Sequence, residues 1–149
     1  MTTYPEGPLS PSGKPPSSNV MLLPQLGGMT FSIANNAGWY DVLLFTSPTN
    51  SEAPLDISGI NFHAELRIAV GDAQNWLDMN TAPAFGVGQL INGALTGQLF
   101  FSVDVSLIAK LSPRVYVMDM IATDISSGMI KSLCEVQPIQ VTVIQGVTR

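Results

Sequence analysis

The fold is decided by residues 60–68, which read Ile60-Asn61-Phe62-His63-Ala64-Glu65-Leu66-Arg67-Ile68. Apolar and polar side chains alternate without a break, and a period of two is the pattern of a β-strand with one buried face. The apolar residues then point into a core, while His63, Glu65 and Arg67 share the opposite face. We interpret that polar face as a solvated or interface face rather than a catalytic group.

Further strand-like segments lie on both sides of this one. The sequence predicts strands at residues 29–33, 39–46, 76–79, 88–91, 99–105 and 139–143, and a hairpin of residues 115–122 with 129–136. One helical turn is expected at residues 106–111, and Pro113 stops it. Many short strands without a helix of ordinary length predict an all-β, Ig-like or jelly-roll-like antiparallel β-sandwich over residues 20–149. The predicted core includes Phe62, Leu66, Phe101, Val117, Val141 and Val143.

Residues 1–19 differ from the rest of the chain. They contain five prolines with Ser and Gly between them, and proline removes backbone donors and forbids helix. Such a segment cannot form a core of its own, so we predict an extended Pro-rich N-terminal arm that lies on an adjacent subunit. The arm residues expected to bind this partner are Tyr4, Pro5, Pro8, Leu9, Pro11, Pro15 and Pro16.

Charge is scarce in this chain. Charged residues make up 11% and hydrophobic residues 46%, whereas charged residues are roughly 25% of an average soluble domain. Because charge is depleted at buried interfaces, this composition predicts a chain whose surface is partly hidden in an assembly with copies of itself and other proteins. The net charge is −5 and the six Lys and Arg residues are scattered singly. We therefore expect no nucleic-acid partner.

Recognisable catalytic chemistry is missing. The chain has one His and one Cys, so most nucleophile–base pairs cannot be assembled, and no phosphate-loop, dinucleotide or zinc-protease motif occurs. Cys134 is interpreted as a small buried hydrophobe in a strand over residues 130–136. We expect no enzymatic activity, no cofactor and no metal.

Two alternatives remain open at this point. Paired carboxylates, such as Asp119 with Asp124 or Asp72 with Asp78, can serve a glycosidase or a calcium site, although the Asp spacing of a calcium loop is absent and lone Asp residues are usually turn formers. The aromatic residues Trp39, Tyr40 and Trp76 can form a platform on which a sugar stacks, as in a carbohydrate- or receptor-binding module. Aromatic side chains in a sandwich are more often core or interface anchors.

Nothing in the sequence predicts a membrane location. The N-terminus lacks a basic start followed by an apolar stretch, and no apolar run is long enough to span a bilayer. We expect synthesis in the cytoplasm and no membrane partner.

Several short motifs follow one another from about residue 55 to the end of the chain. They are Leu55-Asp56-Ile57-Ser58-Gly59 with Phe62 and Arg67, Gly97-Gln98-Leu99, Leu107-Ile108-Ala109-Lys110-Leu111-Ser112-Pro113, Tyr116-Val117-Met118-Asp119, Leu133-Cys134-Glu135, Val141-Thr142-Val143 and Val147-Thr148-Arg149. Their order resembles the baseplate-upper-protein N-terminal domain of tailed phages, an Ig-like sandwich. Ser112 and Val136 depart from that pattern.

This resemblance implies a non-enzymatic structural protein of a tailed-phage virion. Within the virion, the resemblance implies either a tail or baseplate adaptor or a capsid decoration protein. Its expected partners are other virion proteins and copies of itself, and its expected location is the virion, assembled in the host cytoplasm.

Overall fold

The computed structural model describes residues 19–81 and 88–147. Within these ranges there are eleven strands: β1 (Thr30–Ala34), β2 (Val42–Leu44), β3 (Thr46–Ser47), β4 (Asn50–Pro54), β5 (Ile60–Arg67), β6 (Leu77–Asn80), β7 (Gly88–Asn92), β8 (Gln98–Ser102), β9 (Arg114–Asp124), β10 (Ile130–Ser132) and β11 (Ile139–Ile144). One helical turn, α1 (Val105–Ile108), and 3₁₀ turns at Asn19–Leu22 and Ala94–Thr96 complete the elements. In the part of the chain described, no helix is long and apolar enough to cross a membrane.

The arm contacts predicted for Tyr4, Pro5, Pro8, Leu9, Pro11, Pro15 and Pro16 fall outside the described residues and stay a prediction. Asn19, the last residue of the predicted arm, begins the first 3₁₀ turn and donates its side-chain amide to the carbonyl of Asp56 at 2.8 Å.

The strands form an Ig-like β-sandwich, as predicted. The main sheet runs in the order β1-β11-β9-β5-β6-β7-β8-β2, and β10 pairs with β9 beyond the end of β11. This sheet curls so that β7, β8 and β2 lie across the core from β1, β11, β9 and β5. The aromatic contacts show the closure: Phe31 of β1 lies 5.3 Å from Phe101 of β8, and Phe45 lies 5.7 Å from Phe62 of β5 between ring centroids.

The sheet differs from the prediction in its strand directions. Most neighbours are antiparallel, but β1 pairs with β11 in parallel and β6 pairs with β7 in parallel. The β6–β7 contact extends over only two residue pairs, Met79 with Gly88 and Asn80 with Gln89. It joins the two halves of the sandwich.

β5 confirms the alternation from which the fold was predicted. Ile60, Phe62, Ala64 and Leu66 are buried and the residues between them are half-buried. Phe101, Val141 and Val143 of the predicted core are buried as well.

Val117 is an error in the predicted core. The inward residues of β9 are its neighbours Tyr116 and Met118, and Val117 is half-buried on the outer face. The mistake has a physical cause, because β9 carries apolar residues on both faces and its alternation is therefore ambiguous. The segment between β10 and β11 lies beside the outer face near Val117 and shields it in part.

Three predicted boundaries also change. The predicted strand 39–46 is a three-residue strand, β2, preceded by a single bridge between Trp39 and Val103. Residues 50–54, where no strand was predicted, form β4 and pair with β3. The strand predicted at 129–136 ends at Ser132, so Cys134 lies in the following irregular segment.

A short N-terminal segment closes one side of the sandwich. Val20, Leu23 and Leu26 are buried. The Lys131 ammonium donates to the carbonyl of Leu23 at 2.6 Å, and the Leu26 amide donates to the carbonyl of Leu133 at 2.7 Å. These bonds join the segment to β10 and the residues after it.

Tyr116 anchors the start of β9. Its ring is buried, and its hydroxyl donates to the carbonyl of Ser112, four residues upstream, at 3.0 Å. A buried tyrosine bonded back to the preceding loop is the tyrosine corner of Ig-like sandwiches.

We expect Tyr116→Phe to lower the free energy of unfolding by about 1–2 kcal/mol, because it removes the bond to the Ser112 carbonyl and a second contact with the Ser112 hydroxyl at 3.2 Å, and leaves the ring packing intact. Ser112→Ala is the matched control, since it removes only the contact between the two hydroxyls and keeps the carbonyl, so its effect should be smaller. Urea denaturation monitored by circular dichroism measures both. Equal effects of the two substitutions would contradict this role of the tyrosine hydroxyl.

Candidate functional site

A row of charged residues crosses the outer face of the main sheet. Glu65 of β5 lies directly opposite Asp78 of β6 on one side and opposite Asp119 of β9 on the other. Like charges placed opposite each other on neighbouring strands are destabilising, so this row needs compensation. Arg67, two residues after Glu65, supplies a positive charge, and His63, two residues before it, supplies a hydrogen-bonding contact to Asp78.

The contacts within this charged row are short. His63 Nε2 lies 2.5 Å from Asp78 Oδ1 and 3.5 Å from Glu65 Oε2. Arg67 pairs with the other oxygen of Glu65, and it also donates to the carbonyls of Asp72 and Ala73 at 2.9 and 3.2 Å. Strand β5 therefore uses its polar face to hold β6 and the turn that leads into it.

The charged row has little capacity for further chemistry. The ligand atoms of His63, Glu65 and Asp78 lie within 4.8 Å of one another, a spacing that suits a metal ion. However, Asp78 already binds His63 and Glu65 already pairs with Arg67, and the side chains are 23–32% exposed. We interpret the group as a network of polar contacts, with an ion pair between Arg67 and Glu65, that stabilises the outer face.

Cys134 lines a small cavity beside the charged row. The cavity has a volume of about 220 Å³ and also contacts Glu65, Val117, Asp119 and Val136. Burial raises the pKa of the Cys134 thiol, and the negative charge of Asp119 raises it further. A nucleophilic cysteine needs the opposite, a lowered pKa. Cys134 packs against the core but is half-buried rather than buried as predicted.

The carboxylate pairs considered from the sequence do not form. Asp119 and Asp124 are five residues apart on β9, about 17 Å along an extended strand. Asp119 is exposed on the outer face and Asp124 is buried at the strand end. Asp72 accepts from the amide of Gln74, whereas Asp78 binds His63.

Most of the aspartates act as turn formers, as the sequence predicted. Four of them accept a hydrogen bond from the backbone amide two residues later: Asp56, Asp72, Asp104 and Asp124. In Asp56, Asp104 and Asp124 a serine hydroxyl adds a second bond, and these bonds lower the pKa of the carboxyl group.

The aromatic platform considered from the sequence is not formed by Trp39 and Tyr40. Trp39 is 1% exposed and stacks on Phe101 with ring centroids 4.6 Å apart, whereas Tyr40 is 69% exposed. Trp76, 37% exposed, precedes β6 and is separated from β2 by strands β7 and β8 in the sheet. These three residues therefore do not share one surface.

Tyr40 belongs instead to an uncharged surface that the sequence analysis missed. The outer face of β7, β8 and β2 brings Ile91, Phe100 and Val42 into one cross-strand row, because Phe100 lies opposite both of the others. The remaining outward residues are neutral too. They are Tyr40 and Leu44 on the edge strand, Gln98 and Ser102 on β8, and Gln89 on β7.

We call this surface the uncharged face. Tyr40, Val42, Ile91 and Phe100 line a shallow hollow of about 440 Å³ on it, together with Phe101, Ser102 and the exposed Asp41, which is the one charged residue of this lining. Val42, Leu44 and Ile91 are 48%, 61% and 49% exposed. Contiguous exposed apolar residues mark interaction surfaces rather than ordinary solvated surface. The uncharged face is therefore the candidate functional site.

One signal in the sequence indicates the uncharged face. In residues 39–45 the apolar side chains Tyr40, Val42 and Leu44 alternate with a second set in which Trp39, Leu43 and Phe45 are buried and only Asp41 is charged. A strand that is apolar on both faces is expected only where both faces are covered. The outer face of β2 has no cover among the described residues.

No protein-family model and no curated protein matches the sequence. Among solved structures, the chain is similar to the zebrafish RET cadherin-like domains 1 to 4 at 13% identity and a TM-score of 0.43, covering 81% of this chain and 23% of that one. It is also similar to the Drosophila N-cadherin EC1-4 structure at 15% identity and a TM-score of 0.35, covering 77% of this chain and 22% of that one. The chain thus spans less than a quarter of the length of either structure.

Proposed function

We propose that this chain is a non-enzymatic structural protein of a tailed-phage virion, a tail or baseplate adaptor or a capsid decoration protein. It assembles with copies of itself and with neighbouring virion proteins. The observation that carries the proposal is the uncharged face, an exposed apolar surface on a rigid sheet.

The energetics of that face favour assembly. Each exposed Leu, Ile or Val side chain that becomes fully buried contributes roughly 1.5–3 kcal/mol, and the partly exposed side chains here contribute a fraction of that. Among the described residues that line its hollow, only Asp41 is charged, so covering the face desolvates little charge. The low charge content of the whole chain agrees with a surface that is covered in use.

The polar groups of the described residues support a non-enzymatic role. The imidazole of His63 is held by Asp78 and Glu65, and the thiol of Cys134 has a raised pKa. A catalytic site needs a nucleophile within hydrogen-bond reach of its base. His63 and Cys134 each contact other groups instead.

The virion assignment rests on the order of sequence motifs from residue 55 to the end. Of the motifs that lie within the described residues, most form the turn into β5, the entry to β8, the turn around α1, and strands β9 and β11, and one lies in the irregular segment after β10. The predicted arm of residues 1–19 extends the proposal, because a proline-biased arm loses less conformational entropy when it docks on a neighbour.

Electron microscopy of virions with gold-labelled antibody against this chain tests the proposal. We expect label at one structural position on every particle, and that position separates capsid from tail or baseplate. Purified particles that lack the chain altogether, by labelling and by mass spectrometry, would overturn the proposal.

A further inference from the structure

The Pro-rich arm joins the described part of the chain beside the uncharged face. The side-chain amide of Asn19 donates to the carbonyl of Asp56 at 2.8 Å. The amide of Leu55, the residue before Asp56, donates to the carbonyl of Phe45 at 2.9 Å, and Phe45 directly follows the last residue of β2. The junction with residues 1–18 therefore lies at one end of β2, the edge strand of the uncharged face.

The arm is long enough to cover this face. A polyproline II helix rises about 3.1 Å per residue, so the stretch from Asn19 back to Pro11 spans about 25 Å. A strand rises about 3.3 Å per residue, so Phe45 lies about 10 Å from Val42 along β2. Pro11 and the residues before it are therefore within reach of the hollow on the uncharged face.

Three prolines of the arm share one side of such a helix. Pro5, Pro8 and Pro11 are spaced by three residues, and a polyproline II helix has three residues per turn. Their rings then form one row that repeats at about 9.3 Å. Pro15 and Pro16 fall outside this spacing. We call Pro5, Pro8 and Pro11 the proline ridge.

The hollow on the uncharged face has the lining that a proline ridge requires. Proline-rich segments dock in grooves lined by aromatic side chains, because the preformed helix loses little entropy on binding. Tyr40 and Phe100 supply two rings, and Val42 and Ile91 lie beside them. An extended chain without prolines would instead gain most from pairing with the strand edge. The aromatic lining therefore favours a proline ridge over an ordinary extended chain.

Charge favours the arm over a second copy of the domain. The chain has a net charge of −5, and the side chains of residues 1–18 contribute nothing to it, because Lys14 offsets Glu6. Two domains repel each other, whereas the arm meets no net repulsion from the domain. Asp41, the charged residue in the lining, is also better matched by a segment with a lysine than by an acidic partner.

We propose that residues 1–18 dock in cis, with the proline ridge on the uncharged face of their own sheet, over Tyr40 and Phe100. Side chains make this contact, because proline has no N–H to add to a strand edge. The backbone groups along the open edge of β2 therefore stay accessible to solvent. Tethering gives the arm an effective concentration in the millimolar range, so even a weak contact is populated at any protein concentration.

This docking regulates the assembly surface. The inference deepens the proposed function and rests on it in one respect, that a neighbour covers the uncharged face in the particle. While the arm covers that face, free copies of the chain have less apolar surface through which to associate. A neighbour that takes the face displaces the arm, which is then free to lie on the adjacent subunit, as the sequence predicts.

Nuclear magnetic resonance of the purified full chain tests the docking. We expect nuclear Overhauser contacts between proline protons of the arm and the rings of Tyr40 and Phe100. A combined variant, Pro5→Ser, Pro8→Ser and Pro11→Ser, should lose these contacts and shift the amide resonances around both rings. The amides of β5 and β9 should not shift. Dilution should leave the wild-type resonances unchanged, because the contact lies within one molecule.

Two matched controls separate the ridge from the arm as a whole and the face from the rest of the surface. Pro15→Ser with Pro16→Ser changes prolines outside the three-residue spacing, so the contacts with the rings should remain. Tyr40→Ala should shift the arm resonances toward those of the triple variant. Val136→Ala, on a residue that is 91% exposed and lies outside the uncharged face, should not shift them.

The outcomes decide in both directions. A wild-type chain without contacts between the arm and the two rings would overturn the docking, as would equal losses in the two proline variants. Contacts that appear only as the protein concentration rises would assign them to a second copy and overturn docking in cis. A thermal melt confirms that Tyr40→Ala is folded, and the proline substitutions lie outside the sandwich. Failure of the docking leaves the labelling of virions unaffected, so the two proposals fail separately.

Discussion

Trp39→Ala is expected to lower the free energy of unfolding by about 3–5 kcal/mol, the range for removing a large buried aromatic side chain. Trp39 is 1% exposed and contacts both Phe31 of β1 and Phe101 of β8. Trp39 thus packs β1 against β8 across the core. Its indole N–H also donates to Asp41 at 2.7 Å, a bond that is lost. The free energy of unfolding of a typical protein is about 5–15 kcal/mol, so a variant with this loss is only marginally stable.

Tyr40→Ala is the control for this prediction. Tyr40 is the next residue but points outward, so its removal should change stability by no more than about 0.5 kcal/mol. Urea denaturation followed by circular dichroism gives both values. Comparable losses for Trp39→Ala and Tyr40→Ala would show that the inside and outside of this strand are assigned wrongly.

Asn92→Ala is expected to cost about 2–3 kcal/mol, although the residue is only half-buried. Its side-chain amide donates to the carbonyls of Ile57 and Ile60 at 2.9 and 2.8 Å, and its oxygen accepts from the amide of Ala94 at 2.7 Å. Three bonds are lost at once. The last of them holds Ala94 at φ +57°, a left-handed conformation that is rare for residues other than glycine.

Gln89→Ala is the matched control, because Gln89 is an amide residue on the same strand, β7, and projects from the uncharged face. We expect it to be nearly neutral. Chemical denaturation with an unchanged m-value measures the pair. If Asn92→Ala lowered the free energy of unfolding as little as Gln89→Ala, the Asn92 side chain would not hold β7 to the turn before β5.

The sequence predicted the strands in which one face is apolar and the other is more polar. β5, β11 and β1 each alternate buried and more exposed residues, and each was found from this period. β9 was found too, but the wrong face was assigned to Val117, because β9 is apolar on both faces and periodicity cannot choose between them. The buried state of Trp39 depends on its pairing with Val103, a contact 64 positions away in sequence.

The candidate site could not be predicted for a related reason. The uncharged face combines Val42, Phe100 and Ile91 from three strands, and the charged row combines Glu65 with Asp78 and Asp119. Which residues lie opposite one another is set by the register of the strands. A register shift of one residue moves every side chain to the other face. Alternation within one strand shows which of its residues share a face, but it does not show which residues of the neighbouring strands lie beside them.

Hydrogen exchange of the chain, free in dilute solution and incorporated in virions, tests the central claim that the uncharged face is an assembly surface. In the free chain the amides of Val42 and Leu44 point away from β8, where no described strand pairs with them, and should exchange rapidly. We predict that the peptide covering residues 40–44 exchanges at least about tenfold more slowly in the particle, while the already paired amides of β5 and β9 change little. Equal exchange of residues 40–44 in the free and the incorporated chain would contradict the account.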